Sequence, residues 1–316
     1  MRKLTTLILA VLAGASLSCN REAPQTADRR SVALVLKTLN HPFFVDMRRG
    51  AQEAADRLGV QLQVQAAERE IDVEKQMQIV ENVIQTGIGV LAITPSGSRE
   101  IVSALVKARD AKVPIIVVDT RVDEKAAAAA GVRTETFVGS DNFEGGRLAG
   151  DYVVKATGGK ARIGILEGIP GHETGDSRLR GFRDAVAGVP GITIAASQPA
   201  NWERDQGFNV FQNMLQAHPD IDTVFAASDL MALGAIEAIA AAGRTGKIRV
   251  VGFDALDDAK KAIAAGTMEA SVAQFPYEMG KMAIESAVKV MNGESLPPDI
   301  MVRLEMVTRQ TLGATK

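Results

Sequence analysis

Short apolar, β-branched runs alternate along this chain with longer stretches whose apolar positions recur every three or four residues. The runs at 31–36, 61–65, 90–93 and 114–118 predict strands. The 3.6-residue patterns at 43–58, 72–86 and 99–111 predict helices between them. The series resumes with strands at 161–166, 192–196, 223–226, 249–253 and 271–273, and helices at 141–156, 177–187, 204–217 and 229–241. Wholly apolar strands alternating with amphipathic helices predict parallel sheets covered on both faces, an α/β doubly wound fold.

The two halves of the series echo one another. Arg49-Gly50-Ala51-Gln52-Glu53-Ala54 returns 131 positions later as Arg180-Gly181-Phe182-Arg183-Asp184-Ala185. Val90-Leu91-Ala92 returns 134 positions later as Val224-Phe225-Ala226, and a strand ending at Asp119 matches one ending at Asp254, 135 positions on. A near-constant offset predicts two similar lobes in tandem. Ligands of such sheets bind beyond the carboxyl ends of the strands, so two facing lobes would share one cleft.

The polar and aromatic oddities of the chain fall at those strand ends. Aromatic residues make up only 4% of it. Two of them, Phe43 and Phe44, stand together in a strand-to-helix turn after His41, and the only tryptophan, Trp202, lies in a polar loop. Asp119 and Asp254 each end an apolar strand, Asn142 and Arg178 open predicted helices, and Gln274 follows a strand. Carboxylates, amides and a guanidinium suit paired sugar hydroxyls, each both donor and acceptor. Flat aromatic faces suit the C–H faces of a sugar ring. Simpler readings compete with this one: aspartates as turn or helix caps, Phe43 as core, His41 as turn chemistry.

Composition narrows the classes. The length fits two domains. Arg2 and Lys3 precede an apolar run at 4–11, followed by the small residues Ala13, Gly14, Ala15, Ser16 and Ser18. That order predicts an export signal over 1–18, with 19–30 as a polar tether. Cys19, the one cysteine, stands at the cut and predicts a lipid anchor. Ser16 occupies the place a lipobox gives to leucine, and Ser16 and Ser18 also fit ordinary signal peptidase, so that rival stays open. Loss of Arg2 and Lys3 takes the net charge from −2 to −4, and no basic surplus points to nucleic acid. One cysteine and three histidines (His41, His172, His218) cannot build a zinc cluster, and nothing calls for a metal or cofactor.

Enzyme motifs fail. Gly243-Arg244-Thr245-Gly246-Lys247 lacks the spacing of a phosphate-binding loop. Gly145, Gly146 and Gly150 lie inside a helical pattern, no Gly-x-Ser-x-Gly elbow occurs, and Asp257-Asp258 lacks the rest of a calcium loop. Two aspartates could serve a glycosidase, a remote alternative.

The chain resembles the ribose-type branch of the periplasmic sugar-binding proteins of ABC transporters. The likeness runs from Ser31 to the C-terminus. It is carried by Thr38-Leu39-Asn40 before Pro42-Phe43-Phe44, Gly139-Ser140-Asp141-Asn142, Ala195 to Ala200 before Trp202, Met231-Ala232-Leu233-Gly234-Ala235, Val251-Gly252-Phe253-Asp254 and Ala273-Gln274. It implies two hinged lobes, 31–140 plus 275–303 and 141–274 plus 304–316, with crossovers near Ser140, Gln274 and Arg303. It also implies a monomer that binds a sugar outside the cytoplasm and serves an inner-membrane ABC permease. A sensor docking on a chemoreceptor or binding a furanosyl signal is the alternative. A DNA-binding regulator of this fold would need a helix-turn-helix where this chain has its export signal.

By the same resemblance Phe44 and Trp202 sandwich the sugar beside Phe43. Asp119, Arg178, Asp254 and Gln274 bond its hydroxyls, and Asn142 lines the cleft. Ribose binders carry asparagine at the positions of His41, Thr94 and Ser228, arginine at Thr120, and phenylalanine at Trp202. All of these are expected to face the ligand, with Arg121 a candidate substitute for the missing arginine. The departures predict a ligand other than ribose.

Overall fold

The computed structural model describes residues 30–314. In chain order the first half runs β1 (Ser31–Thr38), α1 (Pro42–Leu58), β2 (Gln61–Ala67), α2 (Val73–Gln85), β3 (Val90–Ile93), α3 (Val102–Asp110), β4 (Ile115–Val118), α4 (Glu124–Ala129) and β5 (Thr136–Gly139). Next come α5 (Asn142–Ala156), β6 (Lys160–Glu167), α6 (Glu173–Val186), β7 (Gly191–Pro199), α7 (Arg204–Ala217), β8 (Thr223–Ala226), α8 (Asp229–Ala241), β9 (Arg249–Asp254), α9 (Asp257–Ala265) and β10 (Ala270–Ala273). The chain closes with α10 (Pro276–Met291), β11 (Asp299–Met301), β12 (Glu305–Thr308) and α11 (Arg309–Ala314).

Every residue of β1, SVALVLKT, is buried, which only a strand covered on both faces permits. It pairs in parallel with β2 on one side and β3 on the other. The edge strand β2 exposes Gln61 and Gln65, so its polar alternation suits its place. The first sheet has the order β11-β5-β4-β3-β1-β2, and the second β12-β10-β9-β8-β6-β7. The two orders match position by position, as the internal echo predicts. They differ at one edge: β11 joins β5 in parallel, whereas β12 joins β10 antiparallel.

The chain passes between the sheets three times: after β5, after β10, and between β11 and β12. These strands lie close together in space. Ser140 Oγ donates to the Gln274 carbonyl at 3.5 Å, and the Arg303 guanidinium lies 3.9 Å from the Phe275 ring centroid.

The helix predicted at 177–187 begins a turn earlier, at Glu173. Its first turn, Glu173-Thr174-Gly175-Asp176, is polar or small and gives no apolar period, although Thr174 and Gly175 are buried. Arg178 therefore lies inside the helix rather than opening it. Elements outside the predicted series are α4, β5, α9, α10, β11, β12 and α11.

Three helix pairs cross at glycines. A Cβ on Gly181 of α6 would overlap the Phe143 carbonyl, and one on Gly146 of α5 the Arg178 carbonyl. Gly50 and Gly280 do the same for α1 and α10, as Gly207 and Gly234 do for α7 and α8. Backbone meets backbone at each crossing, so no neighbouring side chain can yield. Gly181→Ala is expected to destabilise the protein by about 1–3 kcal/mol, read as a lower urea midpoint. An unchanged midpoint would show that α5 and α6 separate freely.

Candidate ligand-binding site

Strand order reverses beside β1 in one sheet and beside β6 in the other, which opens a crevice past the carboxyl end of each. The crevices meet in one cavity. The first lobe contributes Lys37, His41, Phe43, Phe44, Glu70 and Asp119, and the second Thr174, Arg178, Trp202, Ser228, Asp254 and Gln274. The lobes touch beside it, with the Thr120 and Thr174 hydroxyls 3.0 Å apart.

In the first lobe, the end of β1 turns into α1 through His41. Its Nδ1 accepts from the Phe43 N–H at 3.1 Å, and Pro42 takes the first helical position. His41 is thus both helix cap and cavity wall. Phe43 and Phe44 pack edge to face, 5.2 Å between centroids, and are buried while lining the cavity. Asp119 leaves β4 at φ 63°, where an L-residue is strained, and its Oδ2 accepts from Thr120 Oγ1 at 2.9 Å.

In the second lobe, Arg178 is buried. Its Nε donates to Asn142 Oδ1 at 2.9 Å and its Nη1 to the Ala227 carbonyl at 2.7 Å, with Asp254 Oδ1 3.5 Å from Nη1. Its guanidinium lies 3.8 Å from the Phe253 ring centroid and 5.6 Å from that of Trp202. Gln274 Nε2 donates to Asp254 Oδ1 at 2.6 Å. Backbone strain concentrates here, with φ 110° at Asp254, 51° at Ala255, 52° at Asn201 and 68° at Trp202.

A buried network holds the turn at Asp254 and Ala255. Asp229 Oδ2 accepts from the Leu256 N–H at 2.7 Å and its Oδ1 from Ser271 Oγ at 2.7 Å, while Ser271 Oγ accepts from the Ala255 N–H at 3.0 Å. Burial raises the Asp229 carboxyl to about 7. Burial also raises Asp254 well above the usual carboxylate range, against the pull of Arg178. The indole of Trp202 lies against Gly168, where any side chain would overlap it. Trp202 Nε1 and Gln274 Oε1 are buried without a hydrogen-bond partner. One donor and one acceptor thus stand ready at the cavity wall.

Nine of the twelve predicted residues line the cavity: His41, Phe43, Phe44, Asp119, Arg178, Trp202, Ser228, Asp254 and Gln274. Thr94, Thr120 and Asn142 do not. The Thr94 hydroxyl is 3.6 Å from the Met47 sulfur in the core, Thr120 spends its hydroxyl on Asp119 and Thr174, and Asn142 orients Arg178. Arg121 turns away as well, pairing with Asp299 at 2.8 Å over the Phe137 ring. His172 is buried at the start of α6 with its Nδ1 unpartnered. Lys37, Glu70 and Thr174 line the cavity without standing out in the sequence pattern. A lysine inside an otherwise apolar strand is the one signal that could have found Lys37.

The predicted leader, Cys19 and the tether through residue 29 lie outside the described residues. Among the described residues, no His, Cys, Asp or Glu group is arranged to hold a metal, and no helix is long and apolar enough to cross a membrane.

Two facing doubly wound lobes with polar groups and aromatic faces converging between them define an interlobe receptor for a small polar solute. The chain belongs to the periplasmic binding proteins: the family's domain model matches residues 32–295. It is 38% identical over 310 residues to the ribose import binding protein RbsB of Escherichia coli K12, covering 98% of this chain and 99% of that one. It is 33% identical over 277 residues to the D-allose-binding periplasmic protein of the same organism, covering 87% and 89%. Among solved structures, an ABC transporter periplasmic solute-binding protein of Actinobacillus succinogenes with bound D-allose superposes with a TM-score of 0.85 at 39% identity, covering 90% of this chain and 99% of that one. A Caulobacter myo-inositol-binding protein with bound myo-inositol gives 0.83 at 31%, covering 90% and 95%.

His41 gives the site a pH signature. Burial, helped by the Lys37 charge, holds its imidazole at about 4 against an ordinary 6.5. The folded protein keeps it neutral, while the unfolded chain protonates it below pH 6.5. The stability this contributes is present above 6.5 and is lost as pH falls toward 4, on the order of 3 kcal/mol. His41→Asn retains a cap and is expected to lose less stability than wild type across that range, measured by urea unfolding at both ends. Equal losses would mean that His41 protonates in the folded state at no cost.

Proposed function

We propose that this protein is the extracytoplasmic solute-binding component of an ABC importer. It captures a monosaccharide or related polyol between its lobes and presents it to an inner-membrane permease. It acts as a binding protein and not as an enzyme. The observation that carries this reading is the convergence of Asp119, Arg178, Asp254 and Gln274 with the rings of Phe44 and Trp202 around one cavity. The cavity is walled by both lobes with aromatic faces and hydrogen-bonding groups, which suits a single sugar ring.

The lobes, 31–140 plus 275–303 and 141–274 plus 304–316, act as bodies hinged at the three crossovers. Sugar binds to one lobe in the open form, and contacts from the other lobe favour closure. The ligand shifts that equilibrium only by its preference for the closed form. The protein works as a monomer, tethered to the membrane by a lipid on Cys19. The ligand is a monosaccharide or related polyol other than ribose. The His41, Trp202 and Ser228 departures at the cavity wall support this, and D-allose, bound in a relative at 39% identity, is the first candidate.

A thermal-shift screen against D-ribose, D-allose, D-tagatose and myo-inositol tests the reading. A ligand at about 100 times its dissociation constant should add about 2.7 kcal/mol of stability, and Trp202→Ala and Asp254→Ala should abolish the shift. Silence across the panel would move the protein to a non-sugar solute. Tight ribose binding with failure of hexoses, ketoses and polyols would overturn the choice of sugar. For the anchor, Cys19→Ser should move the protein from the membrane fraction to the soluble one; an unchanged distribution would remove it.

A further inference from the structure

The helix that carries Arg178 has no cap of its own. α1, α4, α5 and α8 each receive a bond from the side chain at their N-cap, from His41, Asp123, Asp141 and Ser228. His172 holds that place in α6, yet its side chain makes no capping bond, and its Nδ1 is buried without a partner. The N–H groups of a helix's first turn have no partner inside the helix and need an acceptor when they leave water. For the Glu173 N–H that acceptor comes from the other lobe: it is Ser98 Oγ, at 3.4 Å. At the next residue of the same turn, the Thr174 hydroxyl meets that of Thr120 at 3.0 Å. Ser98 itself does not line the ligand cavity.

Ser98 is held from behind. Its carbonyl accepts from the Asp123 N–H at 2.8 Å. The loop that carries it leaves β3 at Thr94, whose N–H still donates to the Val35 carbonyl of β1 at 2.9 Å. Past that bond a side chain joins the two strand ends. Gln76 of α2, fully buried, donates through Nε2 to the Leu36 carbonyl at 3.2 Å and the Thr94 carbonyl at 2.8 Å, and its Oε1 accepts from the Ser96 N–H at 2.7 Å. One amide thus satisfies three buried backbone groups and fixes the path of the loop to Ser98.

We propose that Ser98 caps α6 across the cleft, that Gln76 is the positioning residue that holds it there, and that the pair sets how long the closed form lasts without touching the ligand. The proposal rests on the hinged sugar-binding reading and deepens it. When the lobes part, the Glu173 N–H and the Ser98 hydroxyl both return to water, so the bond belongs to the closed form alone. A ligand that meets one lobe first does not sense the bond on the way in. Release requires opening, and opening breaks it, so the effect falls on koff. The capping bond is longer than the usual distance of about 3 Å, which places its effect at the low end for helix caps.

Stopped-flow fluorescence of Trp202, the only tryptophan and part of the cavity wall, reads both rates. The probes are D-allose, D-ribose, D-tagatose and myo-inositol, and rates are compared on those that wild type binds. Ser98→Ala is expected to raise koff about threefold with kon unchanged. The urea midpoint of the ligand-free protein should stay where it is, because the open form lacks the bond; a serine with a merely structural role would lower it. Ser98→Thr keeps the oxygen and should restore slow release. Gln76→Leu should raise koff about tenfold, and adding Ser98→Ala to it should change little more, since the two act through one contact. Should Gln76→Leu fail to fold, Ser98→Ala and Ser98→Thr still decide. An unchanged koff in Ser98→Ala overturns the proposal, as does a loss carried by kon or a lowered ligand-free midpoint; in each case the sugar-binding reading stands alone. Additive effects in the double variant overturn the part assigned to Gln76. If wild type binds none of the probes, the reading and the proposal both fall.

Discussion

Arg178 has left water, so its five donors and its charge must be answered inside the protein. Asn142 Oδ1 and the Ala227 carbonyl take two bonds, Asp254 supplies counter-charge at 3.5 Å, and Phe253 covers one face of the guanidinium. The second lobe is organised around that demand. α5 must approach α6 closely enough to bring Asn142 to Arg178, and the glycine crossing of Gly146 against the Arg178 carbonyl permits it. Asp254 must hold φ 110° to place its carboxylate, and the Asp229–Ser271 network ties down the residues that follow it. Strain and buried charge are stored together where two sheets over-determine the geometry.

The first lobe answers with the same fold and different groups. Lys37, Asp119 and Glu70 form a second charged cluster at equivalent strand ends, and the His41 cap brings Phe43 and Phe44 to the mouth of the cavity. Each half alone is an exposed patch of charge and aromatic surface. Joined, they enclose a space in which hydrogen bonds strengthen and unpaired groups become costly. Closure is therefore worth most when a ligand completes the pairing, which is the differential affinity a hinged receptor requires.

Much of this was legible in the residues. Strands buried on both faces read as unbroken apolar runs, and the internal echo announced the paired sheets. Asp119, Arg178, Trp202 and Asp254 stood out because polar or aromatic residues at the ends of apolar strands need a reason. The strands β5 (TFVG), β11 (DIM) and β12 (EMVT) carry glycine or a carboxylate, so none reads as an unbroken apolar run. The resemblance puts Thr94, Thr120 and Asn142 at the ligand, but a matched position does not fix the direction of a short side chain. Thr94 turned into the core, and the other two spent their polar atoms on neighbours that do face the cavity. Glu70 lies in the run Glu68-Arg69-Glu70-Ile71-Asp72, where nothing local separates a buried carboxylate from solvated ones. Lys37 follows the predicted strand at 31–36, and its burial depends on Glu70 and Asp119, both distant in the sequence.

The glycine crossings bear on function as well as stability. A hinge moves two bodies past one another only if each body is stiff. Backbone-to-backbone packing at Gly50 and Gly280, at Gly146 and Gly181, and at Gly207 and Gly234 leaves no side chains that could re-rotamer and absorb the motion. Among the described residues, the three strand-to-strand crossovers are the only covalent joints between the sheets. In the proposed hinged receptor, movement belongs there, at Ser140, at Gln274 and Phe275, and beside Arg303. Gln274 belongs to both a crossover and the cavity wall, where its amide holds Asp254 at 2.6 Å. A ligand that engages Gln274 Oε1, buried without a partner, would therefore act directly on one of the joints of the proposed hinge.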